Sequence, residues 1–178
     1  MSTPGRTRRI GVVADSHVGE YLDALPDGVL EALEGCDLIL HAGDLSVPSV
    51  LEDLEAVAPV VVAGRNLGYR AGLHAALARR TGPVDCVVYG HWHEPATVRR
   101  GSALFFSPGA VCPWGNLEGG APPRGGAKGV GDRGVRRFRW QLGAEAMRPS
   151  VGILEVGSAA IVPRIVPVAP PHHLAGRH

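Results

Sequence analysis

Four short apolar runs, rich in β-branched residues, punctuate the first half of the chain. They are Arg9–Ala14 (RIGVVA), Cys36–Ala42 (CDLILHA), Val57–Ala63 (VAPVVVA) and Asp85–Tyr89 (DCVVY). None alternates strictly between apolar and polar, so they predict strands covered on both faces, as in a parallel sheet. Helix-like stretches separate them. Leu22, Leu25, Val29, Leu30 and Leu33 recur close to one stripe of a helix over Leu22–Leu33. Val47–Ala56 and Ala71–Arg80 also read as helices. Strand and helix in alternation predict a layered α/β fold.

The second half has a different rhythm. Residues 96–107 (ATVRRGSALFFS) predict two short strands around a turn at Arg100-Gly101. Residues 150–168 predict a hairpin turning near Gly157-Ser158. Between them, Gly115–Gly134 holds eight glycines and two prolines, which predicts a mobile loop. Lys128, Arg133, Arg136, Arg137 and Arg139 gather at its far end. Arg124 and Lys128 are its candidate contacts to a phosphate.

At 178 residues, one domain is expected: a flexible N-terminus over 1–8, the domain over 9–168 and a disordered tail over 169–178. Hydrophobic residues make up 45% of the chain, enough for a core. Charged residues make up 20% and the net charge is +1, which argues against a dedicated nucleic-acid binder. No apolar run reaches the roughly 18 residues of a membrane span. The basic start is not followed by an apolar segment, so it does not read as a secretory signal. Cys36, Cys86 and Cys112 are odd in number and widely spaced, and Cys36 and Cys86 begin apolar runs, which suggests that these two are buried thiols in a cytoplasmic protein. Composition leaves the oligomeric state open.

The chemistry gathers where the apolar runs stop. The first ends in Asp15-Ser16-His17, the second in His41-Ala42-Gly43-Asp44, the third in Gly64-Arg65-Asn66 and the fourth in Gly90-His91-Trp92-His93. In a parallel sheet such ends line one edge, where ligands bind in α/β folds. Asp15, His17, Asp44, Asn66, His91 and His93 are therefore expected to converge. Carboxylate, imidazole and amide make a mixed O/N donor set that suits manganese, iron or zinc. His41 reads as a packed or supporting histidine, not as a ligand. His74, within AGLHAALARR, reads as a packed or surface histidine.

ADSHVG, HAGD and YGHWHEP, in this order, resemble the calcineurin-like metallophosphoesterases, in particular the small bacterial phosphodiesterase branch. FFSPGAVC resembles the family's N-P-G-S motif, with Ser107 for asparagine and Ala110 for serine. RPSVGILEV resembles the strand after it. The resemblance implies an α/β sandwich of two mixed sheets flanked by helices. It also implies a two-metal site that hydrolyses a small phosphomonoester or phosphodiester through a metal-bound hydroxide. Asp15, His17 and His93 would hold the first ion, Asp44 would bridge, and His91 with an asparagine would hold the second. This makes Asp44 and His91 the candidate catalytic residues.

The chain departs from that pattern between the third and fourth runs. The Gly-Asn pair is interrupted by Arg65, so Asn66 comes one residue late, and a one-residue shift turns an extended side chain away. Only 23 residues, Leu67–Tyr89, precede Gly90, and they hold no His-Gly pair. His74 is the one histidine there. The second ion is therefore expected to bind weakly. Two classes of function follow: a metal-dependent hydrolase, or a binding module on the same scaffold, similar in kind to the phosphoesterase-like subunit of retromer.

Overall fold

The computed structural model describes residues 6–20, 22–63, 84–112 and 148–169. The predicted helix over 71–80, Asn66, His74, the glycine-rich stretch 115–134 and nearly all of the predicted tail lie outside the described residues.

The first three apolar runs form β1 (Arg8–Val13), β2 (Leu38–Ala42) and β3 (Val60–Ala63), which pair in parallel. Val12 stands opposite Leu40, and Leu40 opposite Val61. The sheet is not purely parallel. β7 (Ser150–Val156) lies antiparallel on the other side of β1, and β8 (Ile161–Pro167) closes a hairpin with it, giving the order β3-β2-β1-β7-β8. The fourth run does not join this sheet. β4 (Cys86–Val88) pairs in parallel with β6 (Ala103–Pro108), whose other neighbour is the antiparallel β5 (Pro95–Arg100). Both sheets are mixed, so the fold is the two-sheet sandwich and not a single parallel sheet.

Alternation along β1 explains how the layers stack. Val13 faces one side and packs with Val29 and Leu33 of α1 (Asp27–Leu33) and Val50 and Leu54 of α2 (Ser49–Glu55). Val12 faces the other side and packs with Leu104 and Phe106 of β6 and Leu154 of β7. Helices thus cover one face of the larger sheet and the smaller sheet covers the other. Phe105 and Phe106 are among the largest fully or almost fully buried side chains. Burying a side chain of that size contributes roughly 1.5–3 kcal/mol.

Both helices start later than their apolar stripes predict. Pro26 and Pro48 sit at the N-cap positions. A proline inside a helix has no N–H and clashes with the carbonyl four residues back, so neither helix extends through it. Leu22 and Leu25 are buried nonetheless, from loop conformation. The turn at Gly101 and the hairpin after Val156 occur where the sequence puts them. Cys36 and Cys112 are buried and Cys86 is half-buried, all three as free thiols. Among the described residues, no helix is long and apolar enough to cross a membrane.

Candidate metal centre

Three loops at the C-terminal ends of strands build the site. Asp15 and His17 follow β1, Asp44 follows β2, and His91 and His93 lie between β4 and β5. Backbone hydrogen bonds tie these loops together. Asp15 N–H donates to Gly43 O at 3.2 Å and His17 N–H to Asp44 O at 3.3 Å. From the segment after β6, Cys112 N–H donates to Asp15 O at 3.1 Å. The site therefore lies where the edges of two sheets meet, and not along one sheet edge.

Gly90 allows that meeting. A Cβ on it would sit 1.8 Å from Ala42 O and 3.0 Å from the Ala14 side chain. Its backbone does not need a left-handed turn; what it needs is close approach. Gly43 is the contrasting case, a true left-handed turn residue with φ of +100°.

Side-chain donors gather around one point. Asp15, His17, Asp44 and His93 each offer a ligand atom, and these atoms all lie within 4.8 Å of one another. His17 Nε2 stands 3.3 Å from His93 Nε2 and 3.7 Å from Asp44 Oδ2. For bonds of about 2.1 Å, neighbouring ligand atoms fall roughly 3.0–3.4 Å apart around one ion. The imidazole pair matches that spacing. Nδ1 of His17 meets Glu20 Oε2 at 3.0 Å. With Nδ1–H donating to this carboxylate, the neutral ring turns its Nε2 lone pair toward His93 and Asp44. The donors fit a divalent cation.

Electrostatics agree. Asp15 is fully buried, and burial pushes its carboxyl up to about 7; the His91 backbone N–H opposes this, and the nearby negative charge of Asp44 adds to it. Two carboxylates in a shielded pocket are relieved by a cation between them. His41 is fully buried, with Nε2 3.1 Å from Ser16 Oγ and, among the described residues, no hydrogen-bond partner at Nδ1. Burial holds its ring neutral, with its pKa down at about 4. It is a packed neighbour of the cluster and not one of the four donors.

His91 stands slightly apart. Its Nδ1 is 3.3 Å from Asp44 Oδ2, the oxygen that also stands 3.7 Å from His17 Nε2, and its side chain is exposed. Asp44 thus faces both halves of the predicted site. Asn66 and His74, which bear on the second half, lie outside the described residues.

One backbone property singles out these residues. Asp15, His17, Asp44, His91 and His93, with φ between +40° and +76°, are the non-glycine residues with positive φ among those described. Left-handed backbone is disfavoured for side chains with a Cβ. Such strain persists where the surrounding structure over-determines it, and it clusters at functional sites. Sequence gave no signal of it, since neither Asp nor His at a strand end implies φ > 0. Glu20 was also missed: nothing in the sequence distinguishes it from a solvated acid.

The calcineurin-like phosphoesterase superfamily domain matches residues 9–68. A probable metallophosphoesterase of Methanothermobacter thermautotrophicus is 27% identical over 130 residues, covering 57% of this chain and 76% of that protein. Among solved structures, Vps29 of Chaetomium thermophilum superimposes with a TM-score of 0.58 at 12% identity, over 92% of this chain and 98% of that one. Vps29 of Entamoeba histolytica in complex with zinc gives 0.55 at 18% identity, over 89% and 98%. At such identities the structural likeness establishes the fold.

Proposed function

We propose that this chain, a member of the calcineurin-like phosphoesterase superfamily, is a metal-dependent hydrolase of a small phosphomonoester or phosphodiester. The observation that carries the reading is the convergence of Asp15, His17, Asp44 and His93 on one point, each held in left-handed backbone. A divalent ion bound there supplies water activation, a clamp on phosphate oxygens and charge stabilisation. The mixed O/N donors suit manganese, iron or zinc.

The chain's own residues supply the positioning. The His91 N–H holds the Asp15 carboxylate, and Glu20 orients the His17 ring. Asp44 Oδ2 reaches both toward His17 and toward His91, so its carboxylate spans the two halves of the site. His91, at the exposed rim, is the group that can donate to a phosphate oxygen as substrate arrives. A second, weaker ion would rest on Asp44 and His91, with Asn66 or His74 completing it.

The competing reading, a binding module on this scaffold, draws its support from the interrupted Gly64-Arg65-Asn66. One experiment separates the two. Protein stripped with EDTA is assayed on bis(p-nitrophenyl) phosphate before and after manganese is restored. Hydrolysis that depends on the ion and disappears in Asp44→Asn supports the hydrolase; none under any metal supports the module.

A further inference from the structure

His41 is a polar residue at a place where packing alone would select an apolar one. It stands opposite Val13 in the parallel pairing of β1 and β2, and residues paired across a sheet share a face. Val13 and Ile39, the latter two residues before His41, both belong to the core that α1 and α2 cover. The His41 ring is fully buried on that side. Its Nε2 meets Ser16 Oγ at 3.1 Å, and among the described residues its Nδ1 has no hydrogen-bond partner. A leucine would fill this place without stranding a polar atom, and a stranded polar atom costs stability. We infer that His41 is a positioning residue of the metal centre: its hydrogen bond to Ser16 braces the two segments that carry Asp15, His17 and Asp44.

The geometry of those segments supports the inference. Ser16 is fully buried and lies between two donors, Asp15 and His17, whose φ angles are +51° and +46°. Left-handed backbone on both sides of one residue persists only where the surroundings hold it. Backbone hydrogen bonds hold the flanks, with Asp15 N–H donating to Gly43 O and His17 N–H to Asp44 O. Both run to the loop after β2. The Ser16 hydroxyl adds a side-chain bond to β2 itself, three residues before Asp44. One hydrogen bond thus ties the segment that carries two donors to the strand that carries a third. Any sequence would supply the backbone amides; only a side-chain pair such as Ser16 and His41 supplies this bond. Burial keeps the ring neutral, so the brace sets no positive charge beside a cation.

The inference rests on the metal-centre reading above, and its readout is metal affinity, which does not depend on hydrolysis. Manganese is titrated calorimetrically into the metal-free full-length protein and its variants, and thermal melting checks that each is folded. Ser16→Ala and His41→Leu should each weaken manganese binding about tenfold, the low end for a lost outer partner. The double variant should lose no more than either alone, because both changes remove the same bond. His41→Gln should regain most of the affinity, since its amide reaches toward the position of Nε2 and can donate or accept. His41→Asn should not, since its shorter amide stops near the position of Nδ1. Should His41→Leu fail to fold, Ser16→Ala and His41→Gln decide the matter: loss in the first with retention in the second supports the brace, and unchanged affinity in Ser16→Ala overturns it. Additive losses in the double variant would overturn it too, as would a His41→Gln protein as weak as His41→Leu. Unmodified protein that binds manganese tightly, with folded variants that bind it equally well, would sink this inference alone. Unmodified protein that binds no manganese would sink the metal-centre reading and this inference with it. The expected affinity pattern without hydrolysis of any ester would sustain the brace and sink the hydrolase reading alone.

Discussion

The backbone N–H of His91 donates to both carboxylate oxygens of Asp15, at 2.9 and 2.8 Å. This contact joins the loop of the smaller sheet to the end of β1, and Gly90 sets it up by lying against Ala42 O. Gly90→Ala should therefore act twice. The new methyl meets backbone that cannot move aside, and overpacking of that kind costs about 1–3 kcal/mol. The displaced loop should also lose its ion. Gly35→Ala is the control: among the described residues a Cβ there meets nothing within 4 Å, so its cost is that of left-handed backbone, about 1–2 kcal/mol, with metal affinity unchanged. Denaturant titration and calorimetry with manganese measure both effects.

Glu20 is expected to tune the ion without touching it. Its hydrogen bond to His17 Nδ1 fixes the ring's tautomer and direction. Loss of such an outer partner typically weakens metal binding 10–100-fold. Glu20→Gln should lie at the low end of that range and Glu20→Ala at the high end, both with near-native melting temperatures because the side chain is exposed. Competition against a chelating dye gives the affinities.

The pH dependence of metal binding has a defined direction. In metal-free protein the Asp15 carboxyl, raised from 3.8 to about 7, keeps a proton that the unfolded chain releases. Its contribution to stability is full below pH 3.8 and is lost as pH rises through about 7. His41, lowered from 6.5 to about 4, acts the other way: its contribution is present above pH 6.5 and is lost as pH falls through about 4. A bound ion needs the Asp15 carboxylate, so binding releases a proton and strengthens as pH rises. The gain in melting temperature on adding manganese should thus grow between about pH 5.5 and pH 8. It corresponds to about 2.7 kcal/mol once the free ion is about 100 times its Kd. A gain that shrinks over this range would contradict the assignment of Asp15 as a ligand.

Much of this site was legible because strand ends carry chemistry in α/β folds. Asp15, His17, Asp44 and His93 could be grouped from sequence since each ends an apolar run or lies just beyond it. Their meeting place could not be read from the runs alone. β4 looks like a fourth parallel neighbour, yet it pairs with β6, and nothing local distinguishes the two pairings. The partner of β4 lies far along the chain, with Val88 opposite Phe106, and the two sheets then meet face to face through non-local contacts such as Val12 with Phe106, which no local run records. The helix starts were misjudged for a local reason: a stripe such as Leu22–Leu33 records burial, while Pro26 decides where the helix begins.

Stoichiometry should be unequal. Asp15, His17, Asp44 and His93 give one ion four donors, whereas Asp44 and His91 are the described donors for a second. Zinc sites in proteins usually supply three or more. One ion should remain after dialysis and a second should bind only at millimolar metal. His93→Ala should lose the tight ion, while His91→Ala should lose only the weak one. Elemental analysis of the dialysed proteins reads this directly; two tightly held ions per chain in the unmodified protein would contradict it. Loss of one of those two in His74→Ala would assign it to that histidine.

The central claim is that the Asp15, His17, Asp44 and His93 cluster binds an ion that drives phosphoester hydrolysis. Its most direct test is the rate of bis(p-nitrophenyl) phosphate hydrolysis as manganese is titrated into metal-free protein, with His17→Ala alongside. The account predicts a rate that rises and saturates with metal in the unmodified protein and stays at the uncatalysed level in His17→Ala. A flat titration in protein that calorimetry shows to be carrying the ion would contradict it and leave a metal-binding module without catalysis.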